Sequence, residues 1–525
     1  MRLKITKAPY TFLLILLSVL SWQSALAETI RRGMGPEPDS LHIHQAQGLS
    51  SIQLLREIRE GLVTFDVHGE PAPGVAQSWE ILNQGQLYRF HLRENARWSN
   101  GDVVIARDFV RAWRQAVSPQ SASRNSSLLS AVLNSNEILA GNLEPSTLGI
   151  EAIDEHTLEV RLSHRQPWFI EILAHPVSYP LHISDTETPK NAITNGAFVI
   201  ESMTPHAMIR LLPNAQFHAA QSIRIAALEL LPIEDPAAEL SRYRSGELHI
   251  TESIPPGRYQ WLQENMPGEL KVSPYLGSFW LGFNLTRAPF KASPELRKAL
   301  SLAINREILV RVILGAGELP AWSTVPPGFE GYENDVSEFL SLNQKQREEL
   351  ARKLFAQAGY GPANPLRIEL RYNSSSQHRR MAVAVAAMWK QNLGVASELI
   401  NEEWKVFVNN RRQGVLTQVF RGGWIADYAD PASFLELFRS DDAMNWSAYS
   451  NPEYDRLLEK ASLLEGSERL RLLKQSESLL MRDMPVIPLY YYVSRHLVKP
   501  GVIGYENNVR DIHLSRYLSI KTGSK

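Results

Sequence analysis

Three observations make this sequence read as an α/β fold of several close-packed domains. Strand and helix patterns alternate from end to end. The turn clusters between them are too short to be flexible linkers. The 525 residues also exceed what one core accommodates, since domains usually run about 100–200 residues. With 44% hydrophobic and 21% charged residues, the composition excludes a disordered, collagen-like or coiled-coil chain.

In chain order, Arg2, Lys4 and Lys7 precede an apolar run at 12–20, and Ala25-Leu26-Ala27 supplies the small residues that a signal peptidase pocket inspects. Residues 1–27 therefore read as a signal peptide cleaved after Ala27. The run is shorter than the roughly 20 residues needed to span a bilayer. No cysteine exists for a lipid anchor, so export without membrane insertion is expected. The mature chain would carry 52 basic and 56 acidic residues, a net charge of −4. That balance gives no reason to expect nucleic acid as a partner.

Residues 86–93 put Tyr88, Phe90 and Leu92 on one face and Arg89, His91 and Arg93 on the other, the alternation of a half-buried strand. Residues 157–162 and 367–372 repeat it. Ser293 and Pro294 suit the start of a helix whose stripe is Leu296, Leu300, Ala303 and Ile304. Another helix is expected before Gly359, and a third after Asn451-Pro452. Turn clusters at 70–74 and 325–328 fall between elements.

Catalytic templates are missing. There is no G-x-S-x-G, H-E-x-x-H, P-loop or G-x-G-x-x-G after a strand, and no cysteine for thiol chemistry. His42 and His44 alternate in a way that could chelate a metal, yet no carboxylate lies within a ligand-like spacing, so solvent-facing strand positions are expected and no metal or cofactor. Asp441-Asp442 reads as a solvated turn. The most distinctive stretch is Arg421-Gly422-Gly423-Trp424-Ile425-Ala426-Asp427-Tyr428-Ala429-Asp430-Pro431. Its glycines allow close backbone approach. Asp430-Pro431 reads as a helix N-cap with proline at the first helical position, whereas Asp427 has no role that its neighbours demand.

That stretch resembles the G-W-x-A-D-Y signature of the periplasmic oligopeptide-binding proteins, the substrate-binding subunits of ABC peptide importers in family 5 of the bacterial extracellular solute-binding proteins. Further landmarks lie at Glu37-Pro38-Asp39-Ser40-Leu41, Glu60-Gly61-Leu62, 71–79, Phe90-His91-Leu92-Arg93, Thr194-Asn195-Gly196-Ala197, 242–247 and Tyr490-Tyr491-Tyr492-Val493. Together they cover nearly the whole mature chain. The resemblance implies two lobes that close on ligand. Lobe one would be 28–59, 179–275 and 493–525, an additional domain 60–178, and lobe two 276–492.

It also implies a ligand, a short peptide, and a partner, an inner-membrane permease complex, for a monomeric, non-catalytic periplasmic protein. Asp427 would pair with the peptide's α-amino group, and Arg421 and His378 with its α-carboxylate. Trp424, Trp404 and Tyr492 would line side-chain pockets, and Gly423 and Leu49 would run alongside the peptide. Gln47 stands where relatives can carry a glutamate. Gly277 and Ile425 stand where some relatives have a disulfide, so packing would have to hold that region here. Rival readings are a receptor for a dipeptide, murein tripeptide, haem or nickel chelate, and an exported hydrolase.

Overall fold

The computed structural model describes residues 28–46, 48–121, 123, 125–184, 192–255, 257–334, 337–414, 417–426, 428–442 and 444–521, with backbone only at 337, 339, 404 and 405. The expected signal peptide lies outside these residues. No helix among them is long and apolar enough to cross a membrane.

Three main sheets organise the chain. The first orders Thr29–Gly33, Ala227–Leu231, Met208–Pro213 and Phe198–Thr204 side by side, the first pair parallel and the others antiparallel. The second is antiparallel and orders Ala76–Leu82, Leu87–Leu92, Thr157–Arg161 and Ile150–Ala152. Its strand Leu87–Leu92 buries Tyr88, Phe90 and Leu92, the face that alternation marks as apolar. The apolar residues beneath these two sheets merge into one cluster, which includes Phe90, Trp113 and Phe198 and reaches Leu514 and Leu518 near the C-terminus.

The third sheet is six-stranded, in the order Leu319–Pro320, Val486–Leu497, Leu270–Phe283, Val419–Ile425, Arg367–Asn373, Ala396–Glu402. Two helices and their connections bury one face: Pro294–Leu302 and Ser376–Leu393 pack Leu296, Leu300, Val385 and Trp389 against Phe279, Leu281 and Leu370. Its two longest strands pair along most of their length. Leu270–Phe283 and Val486–Leu497 pair from Leu270↔Leu497 to Pro274↔Val493, slip register, and resume at Ser278↔Tyr491. The expected lobe boundaries at 275/276 and 492/493 fall at this slip.

Local signals hold with three exceptions. Ser293 caps its helix through Leu296 N, but that helix stops at Leu302, short of Ile304, and Asn305 caps a new turn that runs into a π-helical stretch, Leu309–Leu314. His42 and His44 do not sit on a strand. They lie in a turn, and His44 is fully buried with neither ring nitrogen hydrogen-bonded. Asp430 is not a simple helix cap. The helix that follows, Ala432–Leu435, is a single turn capped by Pro431. Asp430 accepts Ala432 N at 2.8 Å and forms a two-pronged ion pair with buried Arg469, at 2.6 and 2.8 Å.

Candidate functional site

The strand Val419–Ile425 supplies the geometry. It lies antiparallel to Leu270–Phe283, with Leu281↔Arg421, Trp280↔Gly422, Phe279↔Gly423 and Ser278↔Trp424 as partners. Its opposite edge pairs with Arg367–Asn373 only at Leu370↔Val419 and Arg371↔Phe420. From Arg421 onward, that edge has no strand partner among the described residues. The glycines are needed at this place. A side chain at 422 would collide with the Trp280 indole, and one at 423 would press on the Tyr492 hydroxyl at 3.1 Å and the Ser278 carbonyl at 3.2 Å.

Alternation sends Arg421 and Gly423 to one face and Trp424 to the other. On the first face, the Arg421 guanidinium lies 5.2 Å from the centre of the Phe279 ring. His378 stands 5.5 Å from the same ring and Tyr492 6.5 Å from it, edge-on. Four of the expected residues, Arg421, His378, Tyr492 and Gly423, thus meet around Phe279, a residue that the sequence reading did not single out. Trp424 lies behind them, with its indole N–H 3.4 Å from Ser433 Oγ and its ring against the core beside the one-turn helix.

The electrostatics of this patch are one-sided. Arg421 is half-buried, its Nε has no hydrogen-bond partner, and no carboxylate among the described residues lies within ion-pair reach. Arg411, at the end of the helix Trp404–Gln413, faces it. Burial, together with the charges of Arg421 and Arg412, lowers the Arg411 pKa to about 9, and Arg411 stacks 3.3 Å over Trp446. Burial and then Arg421 lower His378 to about 4, so it is neutral near pH 7. The Arg411-Arg412 doublet was the only trace of this second cation in the sequence.

His378 owes its position to Ser375, which caps the helix Ser376–Leu393 through His378 N at 3.3 Å. Its Nδ1 lies 2.9 Å from Asn373 Oδ1. A carbonyl oxygen only accepts, so Nδ1 carries the proton and Nε2 holds a lone pair.

Beyond Ile425, the loop is anchored from the other side of the molecule. Tyr428 stacks on Trp168 with ring centres 4.2 Å apart and planes parallel to within 1°. Ala429 N donates to Glu171 at 2.8 Å, and Glu171 also accepts Arg510 Nε at 2.9 Å. Asp427, between these anchors and the strand, lies outside the described residues, as does Gln47. Trp404 opens its helix, with its side chain likewise outside them.

Leu49 stands apart from the patch. It is the first residue of the helix Leu49–Ile58, is 66% exposed, and lines a cavity of about 70 Å³ together with Arg32, Tyr275 and Asp511. Tyr275 links the two regions. Burial pushes its phenol up to about 12, reinforced by Asp511 and, more weakly, by Tyr492. Gly277 and Ile425, the positions matched to a disulfide in some relatives, are direct cross-strand partners. A Cβ at 277 would fall within the Tyr492 ring, so an aromatic side chain fills that space here.

The family model for bacterial extracellular solute-binding proteins, family 5 (middle region), matches residues 70–446. The chain belongs to this family. Its relatives match over almost their full length. The periplasmic oligopeptide-binding protein OppA of Salmonella typhimurium is 38% identical over 92% of this chain and 90% of its own. The periplasmic murein peptide-binding protein MppA of Escherichia coli K12 is 36% identical over 93% and 92%. Among solved structures, the unliganded open form of the murein tripeptide-binding protein MppA superposes with a TM-score of 0.86 at 36% identity, covering 94% of this chain and 98% of that one. Haemophilus influenzae OppA in complex with the peptide RPPGFSPFR gives 0.75 at 33% identity, covering 94% and 99%. The family fold is two-lobed and α/β, as the sequence leads one to expect.

Proposed function

We propose that this family member is the substrate-binding component of an ABC importer, one that captures short oligopeptides between two closing lobes and delivers them to an inner-membrane permease complex. The observation that carries the reading is the strand edge from Arg421 to Ile425, which has no strand partner among the described residues, flanked by a cation with no counter-charge among them. An extended peptide adds to such an edge through main-chain hydrogen bonds, which bind it without choosing its side chains. Its carboxylate supplies the charge that Arg421 lacks, with His378 beside it, and Asp427 takes the α-amino group. Tyr492 and Trp424 bound the space for side chains, with Trp404, and Leu49 and Gln47 face the ligand from lobe one. Closure of 28–59, 179–275 and 493–525 against 276–492, with 60–178 riding on lobe one, excludes water and completes the site.

The protein acts as a monomer in the periplasm after cleavage behind Ala27, and returns its ligand chemically intact. The better superposition on the open form than on the peptide complex supports an open arrangement of the lobes here.

Calorimetry with a tripeptide tests the reading. The free-ended peptide is expected to bind, and its N-acetylated form to bind far more weakly. C-terminal amidation is expected to hurt to a degree that depends on peptide length. Equal affinity for blocked and free peptides would overturn the site, and recovery of cleaved peptide after long incubation would overturn the receptor reading. Native mass spectrometry of freshly purified protein gives the mass of any natural ligand.

A further inference from the structure

A second cluster of chemistry lies away from Arg421, where the strand Val486–Leu497 meets the loop that follows residue 505. His496 Nε2 lies 2.8 Å from Asp511 Oδ1, and His513 Nε2 lies 3.1 Å from the same oxygen. One ligand-capable atom from each of the three falls within 4.8 Å of the others. Both imidazoles are buried, their side chains 5% and 3% exposed, while Asp511 is 23% exposed and opens toward the cavity of about 70 Å³ that Leu49 also lines. We propose that His496, Asp511 and His513 form a binding site for a divalent transition-metal ion of the zinc or nickel class.

The spacing fits. Two ligands at about 2.0 Å from a tetrahedral ion stand about 3.3 Å apart, a few tenths of an ångström beyond the separations seen. Two imidazoles with one carboxylate favour zinc, nickel or copper over calcium or magnesium, which prefer oxygen. His496 is already oriented as a ligand. Its Nδ1 bonds to Thr251 O at 2.9 Å, the outer contact that directs Nε2 at a metal. His513 is held in place by Tyr505, stacked with ring centres 4.0 Å apart.

A chain of hydrogen bonds through Asp511 would account for these contacts alone, but not for the next one. Glu252 lines the same cavity, and its Oε2 is buried without a hydrogen-bond partner, 3.9 Å from Arg32 Nη2. Oε1 accepts Gln53 at 3.1 Å. Arg32 Nη1 donates to His513 O at 2.8 Å. The two carboxylates, Glu252 and Asp511, carry two negative charges beside the one positive charge of Arg32, so they lessen the repulsion between Arg32 and a bound dication without cancelling it, and the cavity gives the ion entry and room for water in the open coordination position. The site is independent of the peptide reading, because none of its three ligands belongs to the proposed peptide contacts.

Untagged mature protein stripped with EDTA is titrated with zinc chloride by calorimetry. One ion per chain and a raised melting temperature are expected. His513→Gln is expected to weaken binding more than about tenfold, since even outer-shell changes cost 10–100-fold, while His206→Ala, at an exposed histidine, leaves it unchanged. Circular dichroism checks folding, and Asp511→Asn is the second variant. X-ray absorption of the cobalt-loaded wild type, which needs no variant, is expected to show two imidazole ligands. No binding at 100 µM zinc (roughly −5.5 kcal/mol), undiminished binding in His513→Gln, or an absorption spectrum without imidazole would each overturn the site.

Discussion

Arg421 and Asp427 are the residues on which the proposed peptide site stands, and they are expected to fail differently. Asp427→Asn should weaken binding of free-ended peptides whatever their carboxyl terminus. Arg421→Gln should weaken those with a free carboxylate and spare amidated ones. Removing one partner of an enclosed charge pair costs about 2–5 kcal/mol, tens to thousands of fold in affinity. Calorimetry with the four combinations of free and blocked ends separates the two. Asp430→Asn is expected to act on the fold instead. It removes one prong of the Asp430–Arg469 pair and is expected to lower the melting temperature, because Arg469 is buried.

His378 makes a pH prediction. Its Nδ1 proton is committed to Asn373 and its pKa lies at about 4. Nε2 can meet a carboxylate only after gaining a proton. The carboxylate raises the pKa in the complex, so binding takes up protons between about pH 4 and the higher value of the bound state. Affinity should therefore strengthen as pH falls from 7 to 5, by at most tenfold per unit. His378→Gln should remove that slope. A slope unchanged in the variant places the carboxylate elsewhere.

At the scale of elements, Gly277 is the informative position. It sits at the register slip between Leu270–Phe283 and Val486–Leu497, and Tyr492 fills the space where a side chain would be. Gly277→Ala should cost about 1–3 kcal/mol through overpacking, read as a lower denaturant midpoint at unchanged slope. Strand and helix positions were largely legible in the sequence because their signals are local. Tyr88, Phe90 and Leu92 alternate, and Ser293 and Asn451 cap the helices they precede. What could not be read was set by distant partners. Asp430 looks like a cap until Arg469, thirty-nine residues on, is folded against it. His44 looks exposed until the core closes over it. Phe279 gathers four candidate residues that come from three separate stretches of chain. Arg421, His378 and Asp427 themselves carried no local signal, and only the resemblance to a family singled them out.

At the scale of the whole molecule, capture by closure predicts a change of shape. Peptide should reduce the radius of gyration in solution scattering and raise the melting temperature by mass action. Superimposable scattering curves for free and peptide-saturated protein would contradict lobe closure. The anchors that tie Tyr428 and Ala429 to Trp168 and Glu171 also mean that the 60–178 region is attached to the loop bearing Asp427, rather than hanging free of it.

The buried acids near the start of the chain set a timetable for its synthesis. Glu57, 5% exposed, is satisfied by the backbone and hydroxyl of Ser515, at 2.9 and 2.7 Å. Glu60, 2% exposed, is held by Arg516 at 2.6 Å and by His218. Ser515 and Arg516 are made more than 450 residues later, whereas His218 follows Glu60 by 158. Until the final segment is released, Glu57 lacks Ser515 and Glu60 lacks Arg516, so the first-made part of the chain is expected not to reach its final packing before translation ends. For export as proposed, a chain in that condition can still be threaded through a narrow channel, with the segment that completes the fold coming through last. Truncation after Leu514 should therefore leave a product without cooperative unfolding. Supplying residues 515–525 as a separate peptide should restore the transition in proportion to peptide concentration, and a cooperative melt in the truncated chain alone would refute this order of events.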